Sequence, residues 1–151
     1  MPLKIAAKVD HVDRNYYEMR IAPLLDHPLI DYIGKIGDDR KSEFLGNARA
    51  LLFPIDWPEP FSLVMIEAMA CGTPVIAWNR GSVPEIVEHG VSGYIVDSEE
   101  EALAALSNIG SIDRRTVRAV FEQRFAARTM ARSYLDLYAR LQKIQPLLRA
   151  S

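Results

Sequence analysis

Cysteine is nearly absent from this sequence. Cys71 is the only one in 151 residues, which excludes an intramolecular disulfide and any multi-cysteine zinc or iron–sulfur site on this chain, and fits a reducing cytosol. Histidine is almost as scarce. His11 between Asp10 and Asp13 suggests a metal-ligand set, but His11, His27 and His89 stand far apart, no two at the spacing that puts ligands on one helix face, so no metal site is expected. Long apolar runs are lacking too. The longest candidate, residues 62–72, is broken by Glu67 and falls short of the ~18 residues that a bilayer span needs. Residues 1–9 are short and carry Lys4 and Lys8, so no secretory signal is expected there. Neither charge dominates: 18 Lys and Arg face 20 Asp and Glu, a formal net charge of −2, without the basic balance of a nucleic-acid binder. Also missing are a G-x-G-x-x-G fingerprint, a Walker-type loop, a Ser-His-Asp order, internal repeats and low-complexity tracts.

What is present is an ordinary globular composition, 49% apolar and 25% charged. A chain of this length buries roughly 70% of the surface its unfolded form exposes, enough for one core without staples. Residues 1–151 are therefore expected to form a single domain. Short apolar runs alternate with segments of helical periodicity, the βαβ rhythm of an α/β fold with a parallel sheet. Strands are expected at residues 3–9, 31–34, 50–53, 75–78 and 93–96, and helices at 14–25, 41–49, 63–70, 83–88 and 99–106. Two further helices, at about 113–122 and 126–145, follow the last strand.

Charge is distributed unevenly. Residues 113–151 hold nine Arg and Lys against three acidic residues, a net of +6 that leaves −8 on residues 1–112. Met130, Tyr134, Leu137, Tyr138 and Leu141 form an apolar stripe on the last helix. That helix is expected to lay its stripe on the core with its basic face solvated; the rival reading is contact with an anionic membrane surface or partner.

In open parallel sheets, ligands bind beyond the carboxyl ends of the strands. The third such loop concentrates the chemistry. After residues 50–53 it runs Pro54-Ile55-Asp56-Trp57-Pro58-Glu59-Pro60-Phe61-Ser62, then enters Leu63-Val64-Met65-Ile66-Glu67-Ala68-Met69-Ala70. Two prolines flank Glu59, restricting the backbone on both sides so that the loop can aim a carboxylate. Ser62 is the expected N-cap of a helix whose positive end and unpaired N–H groups would receive an anion such as diphosphate. Glu67 is the lone charge on an otherwise apolar helix. Burying it is costly unless it is paired, with sugar or ribose hydroxyls on one reading; on the other it pairs with Arg80 or Lys35 or lies on a narrow solvent-facing edge. Gly72 stands at the expected C′ position, which leaves Cys71 a packing role.

Residues Glu59 to Glu67, continued by Ala68-Met69-Ala70-Cys71-Gly72-Thr73-Pro74-Val75-Ile76-Ala77, resemble the Glu-x7-Glu signature of the family 4 (group 1) retaining glycosyltransferases. The likeness extends through Gly81-Ser82-Val83-Pro84-Glu85-Ile86-Val87, Gly90-Val91-Ser92-Gly93-Tyr94-Ile95-Val96 and the closing helix with Tyr134 and Tyr138, so it covers nearly the whole chain. The resemblance implies the C-terminal, donor-binding domain of a GT-B enzyme, Rossmann-like, with the acceptor domain absent. It implies that Glu59 contacts the donor sugar, that the N–H groups of Phe61, Ser62 and Leu63 approach sugar and diphosphate, and that Glu67 holds the ribose hydroxyls. Lys35 and Ile36 match the segment lining the nucleobase. The nucleoside diphosphate sugar is a substrate, and no metal or other cofactor is implied.

The sequence departs from the family in three respects. Ser62 replaces a usual glycine. The chain begins after the family's first donor-domain strand, and it therefore also lacks the Arg and Lys on the following loop that neutralise the leaving diphosphate; Lys8 and Lys35 are the candidates to stand in. In the order 3-2-1-4-5-6 that strand is central, so its absence leaves strand edges that are expected to re-pair or to associate with a second copy. Transfer of a hexose to a sugar or lipid-linked acceptor, in the cytoplasm or at the inner membrane face, is the implied function of the intact enzyme, with this chain inactive by itself. A non-catalytic nucleotide-sugar-binding or interaction module left by truncation, and a related epimerase, are the alternatives.

Overall fold

The computed structural model describes residues 1–148, with side chains through Gln142; Arg149 and the Lys143 side chain, both counted in the basic tail above, lie outside the described residues. The chain divides into two compact units, Met1–Lys41 and Ser42–Ser151.

In the first unit, β1 (Leu3–Ile5) pairs in parallel with β2 (Ile30–Tyr32), Leu3 opposite Ile30 and Ile5 opposite Tyr32. β1 is shorter than the expected run over 3–9 because its ladder partner ends at Tyr32, whose hydroxyl donates to the Ala7 carbonyl (2.7 Å) in place of further pairing. Gly34, at φ +70°, turns the chain away beyond β2. The expected continuous helix over 14–25 is instead α1 (Arg14–Tyr16), a π turn (Tyr17–Ile21) and a 3-10 turn (Ala22–Leu24). Pro23 is the reason: it has no N–H to give the preceding turn, and its ring crowds the carbonyl four residues back.

α2 (Asp38–Gly46) carries the chain into the second unit. There β3 (Leu51–Phe53), β4 (Val75–Trp78) and β5 (Gly93–Val96) form a parallel ladder with β4 in the middle. The five expected strands thus fall into two ladders rather than one sheet. Val75, Ile76 and Ala77 are fully buried, as a strand covered on both faces requires. At Gly93 a Cβ would collide with the Val75 carbonyl, so only glycine admits the β4–β5 approach.

The crossover elements are α3 (Leu63–Ala70), α4 (Val83–Ile86) and α5 (Glu99–Asn108), followed by α6 (Arg114–Arg124) and α7 (Ala127–Leu148). Met65, Ala68 and Met69 of α3 pack with β4, Val83, Ile86, Val117 and Val120 in one apolar cluster. Each fully buried large side chain contributes about 1.5–3 kcal/mol from burial alone. α3 ends as expected at Gly72, φ +69°, with Thr73 N–H bonded to the Ala68 carbonyl and Gly72 N–H to that of Met69 (both 2.9 Å).

Part of the basic tail is turned inward. The Arg114 guanidinium donates to the carbonyls of Ala48 and Gly46 (both 2.7 Å) and to Thr73 Oγ1 (2.8 Å), tying the turn after α2 to the start of β4. Arg118 donates to the Ala70 carbonyl, and Arg124 to those of Glu85 and, at 2.8 Å, to the Glu88 carboxylate. The stripe on α7 contradicts the expected core packing. Met130, Tyr134, Leu137, Tyr138 and Leu141 are all about half exposed. Among the described residues, no helix is long and apolar enough to cross a membrane.

Asp113 caps α6: its carboxylate accepts from Arg115 N–H and Thr116 Oγ1 (both 3.1 Å), and the backbone hydrogen bond from Arg115 holds its pKa below the ordinary carboxylate value. A depressed folded-state pKa contributes stability above the unfolded value that is lost as pH falls through the folded one. The urea midpoint of Asp113→Ala is therefore expected to lie below wild type at pH 6–7, with the gap narrowing below about pH 4. A gap independent of pH from 6 to 3 would contradict the charged cap.

Candidate functional site

The parallel register sets Phe53 of β3 opposite Ala77 of β4, so the loops leaving both strands emerge at the same edge of the ladder. The β3 loop, residues 54–62, carries Glu59; the β4 loop, residues 79–82, carries Gly81. They meet backbone to backbone. Ser82 N–H donates to the Glu59 carbonyl (3.0 Å), and a Cβ on Gly81 would stand 2.6 Å from Glu59 N, 2.8 Å from the Pro58 carbonyl carbon and nearer still to the Glu59 oxygen. Gly81 also has φ +51°, the left-handed region that glycine enters without a Cβ penalty.

Within its own loop Glu59 is held twice by Trp57. The Glu59 N–H donates to the Trp57 carbonyl, and the Trp57 indole N–H donates to Glu59 Oε2, both at 2.8 Å. Glu59 itself is partly buried. The two prolines thus explain only part of its rigidity; the Gly81 contact and Trp57 supply the rest. Sequence reasoning passed over both. The available signals were a glycine just beyond a strand end and an indole donor two residues from the carboxylate.

Ser62 occupies the N-cap position of α3 with extended backbone, φ −98° and ψ 112°, but its hydroxyl makes no capping hydrogen bond. The expectation of a side-chain cap is corrected: the first turn of α3 keeps its N–H groups for another acceptor. Phe61 and Leu63 flank it, both exposed. Glu67 lies about one turn along α3, partly buried on the same helix as the buried Met65, Ala68 and Met69. Arg80, proposed from sequence as a partner for Glu67, is engaged elsewhere, with Asp97 (3.8 Å) and the Asn79 carbonyl (2.9 Å).

Three candidate residues belong to the other unit. Lys8 pairs with Asp10 (2.8 Å), and that hydrogen bond and charge raise its pKa above the usual lysine value. Lys35 is exposed and Ile36 partly buried, both just beyond Gly34.

The sequence and the α/β fold are shared with known proteins. Residues 13–118 match the family model described as glycosyl transferases group 1. The chain belongs to that family. It is 33% identical over 110 residues to the D-inositol 3-phosphate glycosyltransferase of Streptomyces griseus, an alignment spanning 68% of this chain and 23% of that one. Among solved structures, the chain resembles Anabaena HepE in complex with UDP, with a TM-score of 0.79 and 23% identity, covering 93% of the chain and 41% of HepE. It also resembles the sucrose-phosphate synthase of Thermosynechococcus elongatus, with a TM-score of 0.67 and 28% identity, covering 91% of the chain and 39% of the synthase. The fold is the Rossmann-like α/β arrangement of GT-B glycosyltransferases. The chain spans about a fifth of the curated relatives' length, 16% to 23% for three of them.

Gly81→Ala is expected to destabilise the chain by at least about 1–2 kcal/mol, the cost of a left-handed non-glycine residue, with the loop around Glu59 displaced as well. Urea unfolding measures the first effect. The accompanying change in the Trp57 indole environment, read by fluorescence, measures the second; an unaltered midpoint would refute the clamp.

Proposed function

We propose that this chain is the donor-binding part of a retaining group 1 glycosyltransferase, which moves a hexose from a nucleoside diphosphate sugar to a sugar or lipid-linked acceptor. The observation that supports it most directly is the pairing of a doubly clamped Glu59 with the start of α3, whose N-cap position, Ser62, is three residues further along and makes no side-chain cap. A fixed carboxylate is a hydrogen-bond acceptor for sugar hydroxyls, and an open helix start is a donor cluster for diphosphate. In this reading Glu59 orients the sugar, the N–H groups of Phe61, Ser62 and Leu63 hold sugar and diphosphate, and Glu67 accepts from the ribose hydroxyls. Lys35 and Ile36 line the base. The UDP complex of HepE, a protein of the same fold, makes a uridine diphosphate donor the first to try.

The chemistry asked of these residues is positional and electrostatic. As the bond from the anomeric carbon to the diphosphate oxygen breaks, negative charge grows on the diphosphate, and the N–H groups and positive end of α3 stabilise it. Glu59 holds the hexose so that departure of the diphosphate and arrival of the acceptor hydroxyl occur on the same face. In this reading the acceptor is bound by a separate domain, and the 151-residue chain by itself binds the donor without transferring its sugar.

Calorimetric titration with UDP, GDP and ADP tests the reading. One of the three is expected to bind saturably, and Glu67→Ala is expected to weaken it about tenfold, the loss of one charge-assisted hydrogen bond. No saturable binding to any of them would refute the donor site. Sugar transfer by the purified chain alone would refute its dependence on a separate acceptor site, and binding without turnover in any longer form of the enzyme would favour a non-catalytic module.

A further inference from the structure

The family's signature accounts for Glu59 and Glu67, but not for Trp57. Its side chain is 62% exposed, so little of this large ring is used in packing, yet its single polar atom is engaged. Indole nitrogen is a donor only. Here it donates to Glu59 Oε2 at 2.8 Å, while the Trp57 carbonyl accepts the Glu59 N–H at the same distance. Pro58 lies between the two residues and removes backbone freedom from the link. Trp57 and Glu59 therefore close a small ring of chain in which carboxylate orientation and indole orientation determine one another. Among the described residues, no hydrogen bond is made to Glu59 Oε1, which leaves that oxygen available to a ligand.

We propose that Trp57 is a positioning residue for the donor sugar: its indole N–H occupies one oxygen of Glu59 and so presents the other, at a fixed angle, to the sugar hydroxyls. The inference rests on the donor reading above and adds to it a specificity element. A glutamate free to rotate about its side-chain bonds would lose that freedom on binding each sugar, whereas one already bonded to an indole has lost it beforehand. The benefit belongs to the sugar and not to the nucleotide, because Glu59 contacts only the sugar in this reading. Trp57 thus tunes the difference in affinity between a nucleoside diphosphate sugar and the bare nucleoside diphosphate. High exposure of the ring also means that its replacement removes little buried surface, so Trp57→Phe is expected to fold.

Two measurements on the full 151-residue chain test this. Nitrogen-15 spectra of the two indoles, Trp57 and Trp78, assigned with Trp57→Phe, are expected to show the Trp57 N–H shifting in Glu59→Gln while Trp78 stays put. Calorimetry with UDP-, GDP- and ADP-glucose against the matching diphosphates is expected to show Trp57→Phe weakening the glucose conjugate about five- to tenfold, with the bare diphosphate unchanged within about twofold. The double variant Trp57→Phe/Glu59→Gln should be no weaker than Glu59→Gln, because the indole acts through the carboxylate. A Trp57 resonance indifferent to Glu59→Gln overturns the proposal, as does equal loss for conjugate and diphosphate in Trp57→Phe. An indole that responds as expected in a chain that binds no nucleotide overturns the donor reading itself, and the sugar-positioning role with it.

Discussion

The candidate site depends on how closely the backbone at Gly81 approaches Glu59. Parallel pairing of β3 and β4 brings the ends of the two strands to one edge of the ladder, but pairing alone would leave two loops free to splay apart. The Ser82 N–H bond to the Glu59 carbonyl, possible only where residue 81 has no side chain, joins them. That contact ties Glu59 to β4, the most buried strand of the second unit, rather than to a surface loop alone. A carboxylate anchored to the rigid centre of a core can keep one orientation, and orientation is what a binding residue contributes beyond its charge.

The same logic governs the far end of α3. Its last carbonyls are closed by the Gly72 turn and by Arg118, and Arg114 fastens the adjoining turn to the residues after α2. α3 therefore has a satisfied C-terminus and an unsatisfied N-terminus. The start of α3, left without a side-chain cap, is the one that the loop carrying Glu59 leads into. Three of the tail arginines spend their charge in this internal work, so the +6 of residues 113–151 overstates how much positive charge that segment presents to the outside.

Much of this was legible in the sequence, for identifiable reasons. β4 and β5 match residue for residue because both are bounded by turn residues and lie in the core, where period and composition agree. α3 was placed correctly because its apolar face and its C′ glycine are local signals. Local signals failed where a remote partner decides the outcome. β1 is cut short by the length of β2, helix 14–25 is broken into turns around Pro23, and the α7 stripe has the period of a packed face without a described neighbour to cover it. The site shows the same division. Glu59 and Glu67 stand out by type and spacing, whereas the Gly81 clamp is a contact between loops 22 residues apart, and no periodicity encodes it. Ser62 illustrates the converse error: the residue type fits an N-cap, but its hydroxyl does not take that role.

Electrostatics then narrows where an anionic ligand can be held. Lys8 is paired with Asp10 in an exposed bridge, which adds little stability but cancels the local charge that the lysine would offer a diphosphate. Arg80, at the carboxyl end of β4, is shared between Asp97 and a carbonyl. Within the second unit, with Arg80 so engaged, the positive end of α3 is the donor group that follows Glu59 directly along the chain, while Lys35 of the first unit stays exposed. A helix start provides directional N–H groups and roughly half an elementary charge, enough to orient a diphosphate but weaker than a lysine and an arginine together. In the donor-binding reading proposed above, that balance suits holding a donor better than drawing its leaving group away, and holding is the task that reading gives to Glu59 and Glu67.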